Sequence, residues 1–599
     1  MDPLEPPVAV EEPLRWYSPA WSVEYKMRRR SSRNAPRSPG PARGLGAIVT
    51  LVAAAGLTLV ARGLHGLWTE SGPTDQPQFA QEQTPGPDAA PPDGVRGGVG
   101  VFENPAPTTR SEVSQAPCTD CDIVLVTVCS LRRDHVSAYG EHPGLTPTLD
   151  SLAARGARFD NAYAASNFTL AGLTAILTAR FGSNTGVTGW DRGLTAEVDT
   201  LPEVLGYYGY RTAAFTTDAP SGFRPDYGLD RGFQRMEIYP SPRSTPDGRM
   251  RGGEPGPEGE TAWPVRDWLA EQTDETPVFV AFHTRTAHFP FVLEPPDGED
   301  ATGMARALWE AGMTEVTRRQ PGQNMPGMAG GTSQQGVVEI QGKDPMQALV
   351  DELGEPAVTV WRQAYAEAVR RMDADIGVLL EALEARGRMD RTILVVVADH
   401  GESLNDHGEL LHGDAYFDSV INVPLVMVVP GVSTPDQQID ALVSQVDLMP
   451  TLLELVGAVV PADVDGRSLT PLLTGEATEI RGTALAEGGV ARQLSEYIPG
   501  AVIAPPWILL RQHRGCGGSP TADPPRRPGE PATCLFHAED DPQQERSLAR
   551  KHPEVVAELM ARWTGYREQR SRDARHLELD PDFVEELQRT GYDFRQDTP

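Results

Sequence analysis

Positive charge is in short supply: 53 Lys and Arg stand against 84 Asp and Glu, giving a formal charge of −31. That deficit argues against a nucleic-acid partner, which needs a basic face to meet phosphates. The basic residues that exist are unevenly placed. Residues 25–43 hold seven of them (Lys26, Arg28, Arg29, Arg30, Arg33, Arg37, Arg43) and no acid. GLGAIVTLVAAAGLTLVA follows at 44–61, a run without a charge that just reaches bilayer length. The flanking charge predicts a cytoplasmic N-terminus. No small-x-small cleavage site follows the run, which favours a signal-anchor over a cleaved secretory leader. Both readings export the rest of the chain, so the globular part is expected to be membrane-anchored and extracytoplasmic, either periplasmic or extracellular.

Cysteine is also sparse, with Cys118, Cys121, Cys129, Cys516 and Cys534. Export makes disulfides feasible, and the sequence-local pairs are Cys118–Cys121 and Cys516–Cys534. That leaves Cys129 odd. The CTDC stretch lacks thioredoxin-like surroundings, so a redox motif carries little weight.

A chain of 599 residues is too long for one compact core with ordinary tails, so a large domain with a smaller one attached is expected. Residues 1–43 read as a cytoplasmic tail. Residues 69–117 are rich in Pro, Gly, Gln and acids and read as a flexible tether. From 118 to 480, strands and helices alternate. IVLVTV (123–128) is a β-branched run suited to a strand buried on both faces. TPTLDSLAARG (146–156) reads as a helix capped by Thr146, with Pro147 in its first turn. Residues 201–218 read as helix, turn and strand, and 276–284 as a strand. A long amphipathic helix covers 360–387, followed by strands at 392–399 and 424–431 and a helix capped by Asp447 at 447–457. Residues 297–345 read as an insertion without a clear period. Residues 481–570 read as a C-terminal subdomain ending in a helix at 552–569, with a tail at 571–599. This alternation predicts a mostly parallel sheet with helices on both faces. Sites in such folds gather at strand carboxyl ends, where Cys129, His283 and Asp399 fall.

Asp399–His400–Gly401–Glu402 closes the strand at 392–399. An acid ending a buried apolar strand is costly unless paired, and a metal solves that cost while His400 adds a second ligand. The plain alternative is an acid that caps the next loop. His407 and His412 follow in that loop. His283 and His288 flank a turn in AFHTRTAHFPF and suit an anionic substrate or protonation of a leaving group; solvated loop histidines are the plain alternative. Thr169 opens the helix in SNFTLAGLTAILTARFG, where Thr is commonly an N-cap. A helix start also attracts anions, and a hydroxyl there can be metal-activated.

Taken in order, several segments resemble the sulfatase family of the alkaline phosphatase superfamily across residues 122–565. They are IVLVTVCSLRRDHVSAYG, TPTLDSLAARGARFDNAYAAS, LPEVLGYYGYRTAAF, FVAFHTRTAHFPF, TILVVVADHGESLNDHG, ELLHG, VPLVMVVPG, VDLMPTLLELVG and LFHAEDDPQQERSLARKHPEV. The resemblance implies an α/β domain with a small C-terminal antiparallel subdomain. It also implies a hydrolase or transferase of sulfate or phosphate esters that uses a nucleophile at a helix start and one or two divalent metals. Residue by residue, Thr169 falls at the nucleophile position and Asp399 and His400 at metal-ligand positions. His283, His288 and His412 fall where the family contacts the anion or leaving group. Cys129 falls where most members have a ligand Asp.

Two departures stand out. The family's Cys-x-Pro-Ser-Arg, whose first residue becomes formylglycine, is here TLAGL at 169–173. Members with a Thr nucleophile act on phosphodiesters or phosphomonoesters. CSLRR (129–133) mimics the formylglycine motif, but it has Leu131 for Pro and lies at the metal-ligand strand rather than at the nucleophile helix. As a thiolate, Cys129 would complete a site with Asp399, His400 and the Thr169 hydroxyl; of the expected ions zinc, manganese and calcium, that set favours zinc. As a thiol it would be a small buried hydrophobe, and the site would have lost an acid. Pairing with another cysteine is a third reading, for which the strand geometry gives no obvious partner. The sequence therefore supports a membrane-tethered, metal-dependent hydrolase of sulfate or phosphate esters. The rivals are a Thr-nucleophile phosphodiesterase or phospho-group transferase and a catalytically degenerate binding protein on the same fold.

Overall fold

The computed structural model describes residues 116–217, 223–239, 258–289, 354–413, 415–489, 498–512, 515–516 and 532–577. The segments 1–43 and 44–61, nearly all of the 69–117 tether and the insertion at 297–345 lie outside the described residues. Among the described residues, no helix is long and apolar enough to cross a membrane.

A central sheet of eight strands organises the chain. They are β1 (Asp122–Val128), β2 (Ala157–Tyr163), β3 (Arg211–Thr217), β4 (Arg235–Tyr239), β5 (Val278–Thr284), β6 (Thr392–Ala398), β7 (Leu425–Val428) and β8 (Gln437–Ser444). Their spatial order is β8-β2-β7-β6-β1-β5-β3-β4. β7 is antiparallel to both of its neighbours, and all other pairs are parallel.

The central strands carry apolar side chains toward both faces because both faces are covered. In β1, Ile123 and Leu125 enter one core cluster while Val124, Val126 and Val128 enter the other. β6 divides in the same way, with Ile393, Val395 and Val397 on one face and Leu394, Val396 and Ala398 on the other. Each such side chain removed from water is worth about 1.5–3 kcal/mol. Helices α1 (Pro147–Arg155), α4 (Trp263–Glu271) and α5 (Glu355–Arg386) cover one face. Helices α2 (Thr169–Thr178), α3 (Leu201–Tyr207) and α6 (Leu448–Leu455) cover the other.

Strands β9 (Ala484–Glu487), β10 (Gly500–Ala504), β11 (Trp507–Gln512) and β12 (Ala532–His537) form a small antiparallel sheet. Its Leu485, Val502 and Leu509 pack with Ala175 of α2 and with Trp563 and Tyr566 of α7 (Pro553–Arg570). The chain then returns to the large domain, where Arg575–His576 pair with Arg192–Gly193. Cys118–Cys121 and Cys516–Cys534 are disulfide-bonded, and Cys129 is free.

Two capping expectations are corrected. Thr146 stands at the N-cap of α1, but its Oγ1 accepts the Ser137 N–H at 2.8 Å. The free N–H groups of Thr148 and Leu149 instead donate to the Asp373 carboxylate of α5, both at 2.9 Å. Asp447 stands before α6 without capping it; its carboxylate accepts the Ser444 and Arg467 N–H groups, each at 2.8 Å, and pairs with Arg481.

Candidate active site

β1, β5 and β6 are neighbours in near-level register, so their carboxyl ends form one edge. Thr127 lies opposite His283, and Val128 lies opposite both Thr284 and Ala398. The ladder continues one step past the strands, with the Cys129 N–H donating to Thr284 O at 2.9 Å and the Asp399 N–H to Val128 O at 3.1 Å. This brings Cys129, His283 and Asp399 to one place from positions far apart in sequence.

Helix α2 delivers Thr169 to the same edge. Phe168 occupies the N-cap position and makes no side-chain cap, so Thr169 is the first helical residue and not the cap expected of a Thr here. Its Oγ1 lies 3.3 Å from Cys129 Sγ and 3.3 Å from His400 Nε2. Every residue of α2 is buried, and Gly172 lets the helix descend onto the Asp399 main chain.

The turn after β1 is held in a costly shape. Ser130 has φ 62°, a left-handed conformation rarely adopted by non-glycine residues. Tyr365 clamps it, donating to Ser130 O at 2.7 Å and accepting the Arg132 N–H at 2.8 Å. Ser130 N–H in turn reaches Asp399 Oδ1 at 3.3 Å.

Asp399 and His400 have little freedom. Asp399 Oδ1 also accepts the His400 N–H at 2.7 Å, whereas Oδ2 is buried with no hydrogen-bond partner. His400 Nδ1 lies 2.8 Å from Gly401 O, so it carries the proton and leaves the Nε2 lone pair facing Thr169 and Cys129. Ligand atoms of Cys129, Asp399 and His400 lie within 4.8 Å of one another. A buried carboxylate oxygen without a donor, next to an imidazole lone pair and a sulfur, suits a divalent cation. Burial pushes the Cys129 thiol well up, and the Asp399 charge adds to that. Burial pushes the His400 imidazole down to about 4.

The other expected histidines surround this cluster. His283 Nδ1 is 2.9 Å from Thr127 Oγ1, and its buried Nε2 has no partner. Burial holds it down at about 4. The ring of His412 lies 4.1 Å from that of His400 and 5.0 Å from that of His288, centroid to centroid. Burial holds His288 well below the ordinary histidine range, and the neighbouring Arg285 charge acts in the same direction. His407 is not part of the cluster: it stacks on Phe417 with centroids 3.7 Å apart.

Two residues to which the sequence assigned no role join the site. Arg285, between the two histidines of HTRTAH, reaches the His288 ring at 3.3 Å and acts electrostatically on Cys129 and His283. A cation between two strand-end histidines was the available signal. Glu402 lies within hydrogen-bonding distance of His412 Nδ1 through both carboxylate oxygens, at 3.0 and 3.1 Å, and burial raises its carboxyl to about 8. Its place two residues after His400 was the only hint.

Fold and site together define an α/β architecture with a buried hydroxyl at a helix start, beside a cluster of cysteine, aspartate and histidine. The chain belongs to the sulfatase family: the Sulfatase family model matches residues 122–458. Membership places it among sulfuric ester hydrolases within the alkaline phosphatase superfamily. The Delta 4,5-hexuronate-2-O-sulfatase of Bacteroides thetaiotaomicron is 24% identical over 469 residues, covering 75% of this chain and 89% of that one. The N-acetylglucosamine-6-O-sulfatase of the same organism is 24% identical over 384 residues, covering 57% and 68%. The solved phosphonate monoester hydrolase of Agrobacterium radiobacter shares the fold with a TM-score of 0.55 at 20% identity, over 75% of this chain and 96% of that one.

Proposed function

We propose that the chain hydrolyses sulfate esters with Thr169 as nucleophile, in a pocket closed by Cys129, Asp399, His400, His283, His288 and His412. The carrying observation is the position of Thr169 Oγ1, 3.3 Å from both Cys129 Sγ and His400 Nε2, beside the unpartnered Asp399 Oδ2. Asp399, His400 and Cys129 would hold one divalent cation, with the Thr169 hydroxyl beside it. Such an ion, when bound, supplies positive charge next to the attacking oxygen and the ester oxygens.

The remaining work falls to side chains. Arg285 and the neutral His283 and His288 meet the anionic head of the ester. Thr169 passes its hydroxyl proton to His412 as Oγ attacks sulfur in line; the bond from Oγ to sulfur forms and the bond from sulfur to the ester oxygen breaks. The leaving oxygen takes that proton from His412. Water then attacks the sulfur of the Thr169 ester, releasing sulfate and restoring the hydroxyl. Sulfated sugars are the substrates to try first, since both curated relatives above are named for sulfated sugar substrates.

A second reading is favoured by one observation, the threonine itself. It lacks the aldehyde hydrate through which formylglycine expels sulfate, so its ester must be cleaved at the central atom. Phosphorus accepts that route as well, which keeps phosphate esters and phospho-group transfer in view. We further propose that residues 44–61 anchor the domain outside the cytoplasm. The basic 25–43 segment and the two disulfides support that placement.

The test is release of inorganic sulfate or phosphate from panels of sulfated sugars and phosphodiesters by the full chain, beside Thr169→Ala. Release by wild type alone supports the reading. Equal release by both proteins, or none by a folded, metal-loaded wild type on either panel, overturns it.

A further inference from the structure

We infer that Cys129 tunes the cation site to a thiophilic ion of the zinc kind and away from calcium and magnesium. The inference rests on the reading of Cys129, Asp399 and His400 as a metal site and deepens it.

The geometry fits a small tetrahedral ion. Zinc bonds sulfur at about 2.3 Å and imidazole nitrogen at about 2.0–2.1 Å, so its tetrahedron separates those atoms by roughly 3.6 Å. Cys129 Sγ and His400 Nε2 are 3.9 Å apart. The hydrogen bond from His400 Nδ1 to Gly401 O at 2.8 Å orients the ring as an outer-sphere partner orients a ligating histidine. Asp399 brings a carboxylate into the same space, its Oδ1 lying 3.6 Å from His400 Nε2, and its buried Oδ2 has no donor.

The donor count does not fit a hard cation. Calcium takes six to eight oxygens, and magnesium demands an octahedron of them. Among the described residues the cluster offers one carboxylate, one imidazole and one sulfur. The buried Glu402 carboxylate is engaged with His412 through both of its oxygens. A set of nitrogen, sulfur and oxygen donors is the zinc and cobalt pattern. An aspartate in place of Cys129 would add a hard oxygen and move the preference back toward calcium.

The readout is clean because the other four cysteines are tied in disulfides. The full-length protein is stripped with chelator and titrated with cobalt(II). The expected result is a near-ultraviolet sulfur-to-cobalt charge-transfer band, erased by added zinc but not by a large excess of calcium or magnesium. Cys129→Ser, folded by circular dichroism, is expected to lack the band and to bind zinc more weakly by over about 100-fold, more than loss of an outer-sphere partner costs. Cys129→Asp is expected to gain calcium binding. Cobalt bound without the band, cobalt displaced equally by calcium, or a Cys129→Asp protein that keeps the wild-type preference overturns the inference while leaving the metal site standing. A folded wild type that binds no cobalt, zinc, calcium or magnesium overturns the metal-site reading itself, and this inference with it.

Discussion

Glu402 holds His412 with both carboxylate oxygens, 3.0 and 3.1 Å from Nδ1, and both side chains are buried. The contact assigns Nδ1 to Glu402 and fixes the ring beside those of His400 and His288. Glu402→Gln keeps the shape but cannot exchange a proton with the imidazole. The expected result is a kcat loss of about 10²–10⁴-fold on alkyl esters, whose leaving oxygen needs a proton. Activated aryl esters are expected to change little, and Tm not to fall. Equal losses on both leaving groups would reduce Glu402 to a packing role.

The same pocket predicts how the metal-free protein responds to pH. His283 and His400 are held at about 4 in the fold, against 6.5 ordinarily. Below 6.5 the unfolded chain binds protons that the folded state refuses, so stability falls as pH drops toward 4. Glu402 acts the other way. Its folded carboxyl keeps a proton up to about 8, while the unfolded one releases it near 4.5, so stability also falls as pH rises through that window. Two histidines outweigh one carboxyl below 6.5, and the carboxyl acts alone above it. For these three groups, Tm of the chelated protein is expected to peak near pH 6.5. Glu402→Gln is expected to flatten the alkaline limb. An alkaline limb of unchanged slope in that variant would contradict the assignment.

Thr169→Ala removes one hydroxyl from a buried cluster. The expected cost is about 1 kcal/mol of stability, the usual net worth of a hydrogen bond, with complete loss of turnover. Thr169→Ser retains the oxygen and is expected to retain part of the activity. In wild type quenched during turnover, the peptide containing Thr169 should gain the mass of one sulfo or phospho group. Full activity in the alanine variant on any substrate the wild type accepts would remove Thr169 from the mechanism.

The sheet centre was readable because β1, β5 and β6 are buried on both faces and therefore carry near-continuous apolar runs. β2 and β8 were not. ARFDNAY and QQIDALVS mix polar residues into strands only partly covered, and neither periodicity nor composition marks them. Asp399 and His400 were legible because an acid at the end of a buried strand demands a partner. Position in the loop did not separate His407 from His412; only the resemblance through ELLHG singled out His412. Left-handed turns at Asn405, His407 and Leu411 reverse the loop, and these decide that His412 enters the site while His407 leans on Phe417. Thr169 stood in a helix-start pattern that capping explains equally well. Only the position of Phe168 at the cap shows that its hydroxyl is not spent there.

Gly172 offers the last prediction. A Cβ built there would stand 2.7 Å from Asp399 O, with the Asp399 carbonyl carbon at 3.3 Å. The obstacle is backbone at the end of β6 rather than a flexible side chain, and α2 is buried all round, so neither can move freely. Overpacking of this kind costs about 1–3 kcal/mol, while alanine's helix propensity returns at most about 1 kcal/mol. Gly172→Ala is therefore expected to lower Tm and to widen the 3.3 Å gap between Thr169 Oγ1 and His400 Nε2, with a fall in kcat larger than the loss of folded protein explains. The argument extends to the formylglycine pattern. Grafting Cys-x-Pro-Ser-Arg onto 169–173 places a serine Cβ at this contact, so the graft is expected to fail unless the end of β6 is redesigned with it. A Gly172→Ala protein with raised Tm and unchanged kcat would show that α2 has room to withdraw, and the proposed tie between helix position and nucleophile geometry would fall.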